Sequence, residues 1–245
     1  ECARAAGFYI RGTGSKMHRS RPRVFHHRLI APSLALLALW VAGCATIPAP
    51  PALVPERMKS LGTVALDPVA RWVVATGFVN QVEGAIELLI CGPGGKTHES
   101  IFVMQVNPLD LQTALLLLDL EPGPPRAELG EGPPRGPRVD IWVRWTDAAG
   151  STHTHPAETF AYNIETGRVL PHTGWAFTGS VMVDGQFKAL AEESIAASYW
   201  DPWAILNILN EVGADDELLA VNRARVPPLH TPITFILVPH ARQSP

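Results

Sequence analysis

Short apolar runs rich in β-branched and aromatic residues recur along the chain between clusters of Gly, Pro, Asn and Asp, the rhythm of strands and turns. The pattern predicts strands over Val69–Val79, Ala85–Cys91, Ser100–Val106, Val139–Thr146, Trp175–Val183, Ser194–Trp200 and Ile233–Val238. Asp184-Gly185, between Val183 and Gln186, supplies the positive φ angles of a two-residue hairpin turn. Two stretches carry helix-start signals instead. Asn107-Pro108 opens 107–120, where Leu111, Ala114, Leu115 and Leu118 follow helical spacing, and Asp201-Pro202 opens 201–212, with Gly213 placed as a left-handed cap. In each, the Asn or Asp side chain caps free N–H groups and proline suits the first helical position. Glu121–Arg138 holds too much Gly and Pro for either element and reads as a long exposed loop. No strand–helix alternation points to a parallel sheet. The expected fold is α+β and β-dominated: a mainly antiparallel sheet with two short helices, in one domain over 59–241.

The N-terminal pattern is different. Leu29–Ala42 is a run of 14 largely apolar residues, short of the ~20 that cross a bilayer. Charge sharpens this. Residues 1–43 carry seven Lys/Arg against Glu1, a net of +6, so the chain total of -3 leaves -9 on residues 44–245. A basic head before a short apolar run is the layout of a secretory signal. Met17 reads as the start, with 1–16 an upstream extension and 17–43 a signal peptide. The segment ends Val41-Ala42-Gly43-Cys44, which resembles the lipobox of bacterial lipoproteins. That resemblance implies cleavage before Cys44, lipidation of its sulfur and anchoring in the bacterial cell envelope. Ala45 rather than aspartate after it implies the outer membrane, with the domain facing the periplasm. Two or more acyl chains anchor stably where one does not. Residues 44–58 then form a lipidated Cys and a tether. Its prolines 48, 50, 51 and 55 favour an extended chain, about 40 Å long at roughly 3.1 Å per residue.

Composition mainly excludes. The basic residues after Cys44 are scattered in an acidic domain, against the footprint of a nucleic-acid binder. With Cys2 upstream and Cys44 in the anchor, Cys91 is the one remaining thiol, so no intramolecular disulfide forms. No cofactor is implied. The expected partners are the membrane, through lipid on Cys44, and an envelope protein or small ligand.

Candidate chemistry concentrates in Cys91–Ser100, CGPGGKTHES, a glycine turn delivering Lys96, His98 and Glu99 at the mouth of a strand. A phosphate loop would need glycine where Ile90 stands, and a zincin pair would need histidine where Phe102 stands. Two readings remain: Lys96, His98, Glu99 and Cys91 around one pocket, or a turn whose polar groups satisfy backbone. His153 and His155 share one face of a strand and are a candidate metal pair. A turn at Asp147–Gly150 would set Arg144 opposite His153 and Trp142 opposite His155, and a cation there opposes a divalent ion. The competing reading is a solvated strand face. Trp200-Asp201-Pro202-Trp203 is either an aromatic shelf for a sugar or peptide or core packing.

The segment CGPGGKTHESIFVMQVNPLDLQTALLLLDLEPG (91–123), with VRWTDAAG (143–150), GWAFTGS (174–180) and DDELLAVN (215–222), resembles the YdjY-domain proteins, a bacterial envelope family. The likeness covers roughly residues 60–240 and implies domain extent and envelope location, not an activity. The ferredoxin-like label given to some members does not carry over, because one thiol cannot replace the four that usually hold an iron–sulfur cluster. The expected function is a lipid-anchored envelope protein with a non-catalytic binding or interaction module. The alternatives are an envelope enzyme using Lys96, His98 and Glu99, and a metal-binding protein using His153 and His155.

Overall fold

Strict alternation builds the longest strands. In Trp72–Val79, Arg138–Thr146 and Pro232–Pro239 every second residue (Val73, Ala75, Val79; Val139, Ile141, Val143; Ile233, Phe235, Leu237) enters one core. The structure is a computed structural model describing residues 53–124, 129 and 132–240. Cys44, the leader and the first part of the tether lie outside these residues. Eight strands form the body: β1 (Trp72–Val79), β2 (Leu88–Cys91), β3 (Ser100–Met104), β4 (Arg138–Thr146), β5 (Trp175–Phe177), β6 (Ser194–Ala197), β7 (Leu206–Ile208) and β8 (Pro232–Pro239). Pairing runs β1-β8-β4-β5-β7-β6-β2-β3 and returns to β1, which closes the sheet into a barrel.

The expectation of a mainly antiparallel sheet is corrected in two respects: the sheet closes, and β2–β3 and β6–β7 are parallel. The sequence carries a trace of this. Every residue of β2, β3, β6 and β7 is buried, as in strands covered on both faces. The long strands β1 and β4 serve two partners along one edge. Residues 77–79 of β1 pair with β3, while 72–74 pair with an outer hairpin formed by Lys59–Leu61 and Val64–Asp67. Likewise β4 gives residues 138–139 to β5 and 142–146 to an outer strand, Thr152–Pro156.

The first helix, α1 (Pro108–Leu117), forms as its signals require: the Asn107 side chain accepts from the Leu109 N–H at 2.9 Å, and Leu111, Ala114 and Leu115 are buried. It ends in a Schellman turn, with Asp119 left-handed at φ 57 and bonds from Asp119 N to Leu116 O and from Leu120 N to Leu115 O. The Asp184-Gly185 turn also forms, with φ of 49 and 75. The helix expected at 201–212 does not. The Asp201 side chain does accept from the Trp203 N–H at 2.8 Å, the bond an N-cap makes, but the apolar run that follows is barrel strand β7. There Asn207, wholly buried, takes the Asp201 N–H at 2.7 Å and donates to the Asp201 carbonyl and the Thr178 hydroxyl. Gly213 is not a cap: a Cβ there would press on the Trp200 indole. The second helix, α2, is a short Lys188–Glu192 segment. Residues 53–58, expected to be extended tether, are instead packed on the domain: Pro55–Arg57 is a 3-10 turn, Leu53 packs on the Trp72–Trp142–Ile236 cluster, and Arg57 pairs with Asp67 at 3.1 Å.

Closure depends on a close approach. A Cβ on Gly77 would collide with the Val103 carbonyl oxygen and crowd the Phe235 ring, and backbone cannot rotate away as a side chain can. Gly77→Ala is expected to lower unfolding free energy by roughly 1–3 kcal/mol, read as a reduced urea midpoint. An unchanged midpoint would show that the seam is slack.

Candidate functional site

Parallel neighbours cannot be joined by a tight hairpin, and here both parallel pairs are joined by short crossovers. Gly92–Glu99 links β2 to β3, and Ser198–Ile205 links β6 to β7. These are two of the three motifs that stand out in the sequence. Both converge on a cavity of about 160 Å3 whose walls include Glu87, Lys96, Glu192, Tyr199, Asp201 and Trp203, with Ser194 and Asp216 also on it.

The glycine loop has a definite occupant. Glu193, left-handed at φ 49 ahead of β6, turns its carboxylate into the loop, where it accepts the Gly94 N–H at 2.6 Å, while its carbonyl accepts the Gly92 N–H at 2.8 Å. A Cβ on Gly92 would overlap that carboxylate. The cradle is filled by the chain's own acid. Lys96 is ion-paired to Glu87. Burial opposes its charge, but the bonded Glu87 carboxylate, with Glu99 and Asp201 nearby, outweighs this and raises its pKa. Asp201 accepts the Ser194 hydroxyl at 2.7 Å, which ties the second crossover to β6. The Lys188 ammonium lies 4.6 Å from the Trp203 ring centroid and pairs with Glu192 at 2.9 Å. Burial, and then the charges of Asp216, Glu87, Asp215 and Asp201, push the Tyr199 phenol up. The pocket is therefore acidic and aromatic.

The sequence model of the YdjY domain matches residues 64–189, just over half of the 245-residue chain. The chain belongs to the YdjY-domain family. No curated protein and no solved structure matches it. The matched YdjY segment supplies β1 to β5 and the Lys96 crossover, whereas β6, β7 and β8, and with them Tyr199, Asp201 and Trp203, follow it.

Of the residues singled out around the YdjY glycine turn, only Lys96 reaches this cavity. The His98 side chain is 74% exposed and stands 3.8 Å from Glu99. Glu99 borders an adjoining depression, with Ile86 and Glu217, that shares Glu87 and Asp216 with the cavity. Cys91 is wholly buried, and burial pushes its thiol pKa up, the reverse of what a nucleophile needs. Trp203 is part of the wall, but Trp200 is core, its indole N–H donating to the Ile208 carbonyl at 3.1 Å.

His153 and His155 do lie on one face, with a register one residue from expectation: Trp145 opposes His153 and Val143 opposes His155. Asp147 sets the slip, its carboxylate accepting the Ala149 and Ser151 N–H groups and its N–H reaching the Ser151 carbonyl. This closes a five-residue turn in place of four. The His153 ring stacks on Trp145 at 5.0 Å and bonds Asp147 at 2.7 Å. Burial, and then the charges of Arg225 and His153, lower the His155 pKa. Among the described residues no group of three His, Cys, Asp or Glu side chains is placed to hold a metal ion.

One polar cluster of the YdjY domain has no counterpart among the sequence motifs. His172, 10% exposed, bridges Asp140 and the buried Glu158, 3.3 Å from each. Asp140 also meets Arg138 at 3.3 Å and His240 at 3.0 Å, and Glu158 accepts the Gly174 N–H at 2.8 Å. The bonds to Asp140 and then Glu158 raise the His172 pKa to about 9. Burial alone would raise that of Asp140, but its bonds from His172 and His240 bring it down to about 2. Isolated histidines and acids far apart in sequence carry no local motif. Folded protein therefore keeps a proton on His172 that the unfolded chain releases above its ordinary value of 6.5. The stabilisation is complete below that value and is lost as pH rises through about 9. Between the two, unfolding free energy should fall by up to ~1.4 kcal/mol per pH unit. His172→Gln should remove this slope in urea titrations across the window, and a slope that persists would assign it to another group.

Proposed function

We propose that this YdjY-domain protein is a lipid-anchored component of the bacterial cell envelope whose barrel is a non-catalytic binding module, and that the cavity between its two crossovers is the ligand site. The observation that carries the reading is the composition of that wall among the described residues: Glu87, Glu192, Asp201 and Asp216 with Lys96 as the one cation, beside Trp203 and Tyr199. Carboxylates accept hydrogen bonds and attract cations, and aromatic rings offer flat apolar faces to stack on. At about 160 Å3 the cavity lies below the 300–1,000 Å3 typical of drug-sized ligands. It suits one ring or one side-chain terminus of a longer molecule. The matching ligand is a hydroxyl-rich sugar or a peptide that bears an amine.

Titration of the full chain with a glucosamine trimer and with its N-acetylated counterpart tests this. The amine form should bind more tightly, and Trp203→Ala should weaken it about tenfold, as loss of a stacking anchor does. Equal binding of the two sugars, or none, would remove the reading.

Anchoring rests on the basic leader, the short apolar run and Val41-Ala42-Gly43-Cys44, with the outer membrane, facing the periplasm, as the location. Cys44→Ala should leave an unprocessed, unlipidated precursor, visible as a slower-migrating band that takes up no labelled fatty acid. Normal maturation of that variant would sink the anchor while leaving the binding site standing.

A further inference from the structure

A larger cavity opens at the end of the barrel where β1 and β4 begin, β8 finishes and α1 terminates. It measures about 850 Å3 and is lined by Arg71, Asp119, Leu120, Arg138, Pro239 and His240, among others. We propose that it is a second ligand site, selective for an organic oxyanion: a phosphate ester or a carboxylate carried on an apolar body.

The argument starts from the unspent donors of two guanidinium groups. Arginine presents five N–H donors in a fixed fork. Arg71 gives a bond from Nη2 to the Leu118 carbonyl, which occupies a donor without neutralising the charge. Among the described residues no carboxylate lies within ion-pair distance of it. Arg138 directs Nε and Nη2 to a single oxygen of Asp140, each at 3.3 Å. That carboxylate is shared, because the same oxygen meets His172 at 3.3 Å and the other meets His240 at 3.0 Å. Asp140 thus positions Arg138 and His240 on the rim and is itself held by the His172–Glu158 pair behind it. The rim is also built on unusual backbone at Arg71, which is left-handed at φ 60. A bulky residue such as arginine is seldom found there, and such conformations cluster at binding sites. The volume is far more than a bare ion needs and falls in the range of small-molecule pockets. Leu120, Pro137 and Pro239 supply apolar surface for the rest of the ligand. Among the described residues Asp119 is the one acid on the wall, so it opposes an anion.

Calorimetric titration of the full chain with phenyl phosphate, benzoate and inorganic phosphate tests the site. Saturable binding of phenyl phosphate or benzoate, tighter than that of inorganic phosphate, is expected. The tighter of the two organic anions identifies the ligand as a phosphate ester or a carboxylate. Arg71→Gln should weaken binding about tenfold, the scale on which one charge-assisted hydrogen bond acts. Asp119→Asn should tighten it about threefold by removing a like charge, and asparagine accepts the left-handed backbone. That gain is an effect misfolding does not produce. Absence of saturable heat with all three probes, or affinities unchanged in both variants, would overturn the proposal.

Discussion

The barrel closes where Gly77 lets the backbone of β3 lie against β1, and much of the molecule follows from that approach. Because β3 takes only residues 77–79, the first half of the same β1 edge remains available to the outer hairpin, which carries Asp67 and the docking point of Arg57. Closing a ring through β3 and β2, then through β6 and β7, makes two neighbouring pairs parallel. Parallel pairing forces chain to cross from one end of a strand to the other. In a barrel this small the crossings are short segments without an α-helix, the first ending in a 3-10 turn at Thr97–Glu99, and such segments expose polar side chains. The acidic, aromatic pocket is a consequence of how the sheet closes.

Local signals were legible where the local structure decides its own outcome. Asn107-Pro108 and Asp184-Gly185 gave the cap and the turn they encode. Asp201-Pro202 failed instructively. The side-chain bond it encodes is present, but a capping bond fixes only two or three residues, and the run beyond it is apolar on all sides. Such a run suits a buried helix or a doubly covered strand equally. The decision fell to Asn207, whose amide holds the Asp201 backbone and Thr178 at once, a partnership that sequence spacing does not reveal. The slip at His153 has the same origin: one carboxylate, Asp147, recruiting an extra residue into the turn moved every pair by one.

Parts of the site were visible and parts were not, for a related reason. Lys96 and Trp203 stand in motifs that attract notice, and both are on the pocket wall. The role of the glycines in the first of those motifs was hidden, since their partner, Glu193, lies 99 residues from Gly94. The Asp140–His172–Glu158 chain, drawn from three separate segments, has no local signature at all.

The placement of acids explains how residues 44–245, of net charge -9, can carry a well-packed domain. Several of its carboxylates are structural: Glu193 fills the glycine loop, Glu158 and Asp140 hold a protonated histidine, and Asp201 ties a crossover to β6. A carboxylate bonded to backbone N–H groups fixes the loop that carries it, so the walls around it are already ordered. Preorganisation of this kind lowers the entropic cost of binding without any new interaction. Glu193 therefore braces the pocket without lining it, by fixing the crossover that presents Lys96 and, through Lys96, the orientation of Glu87.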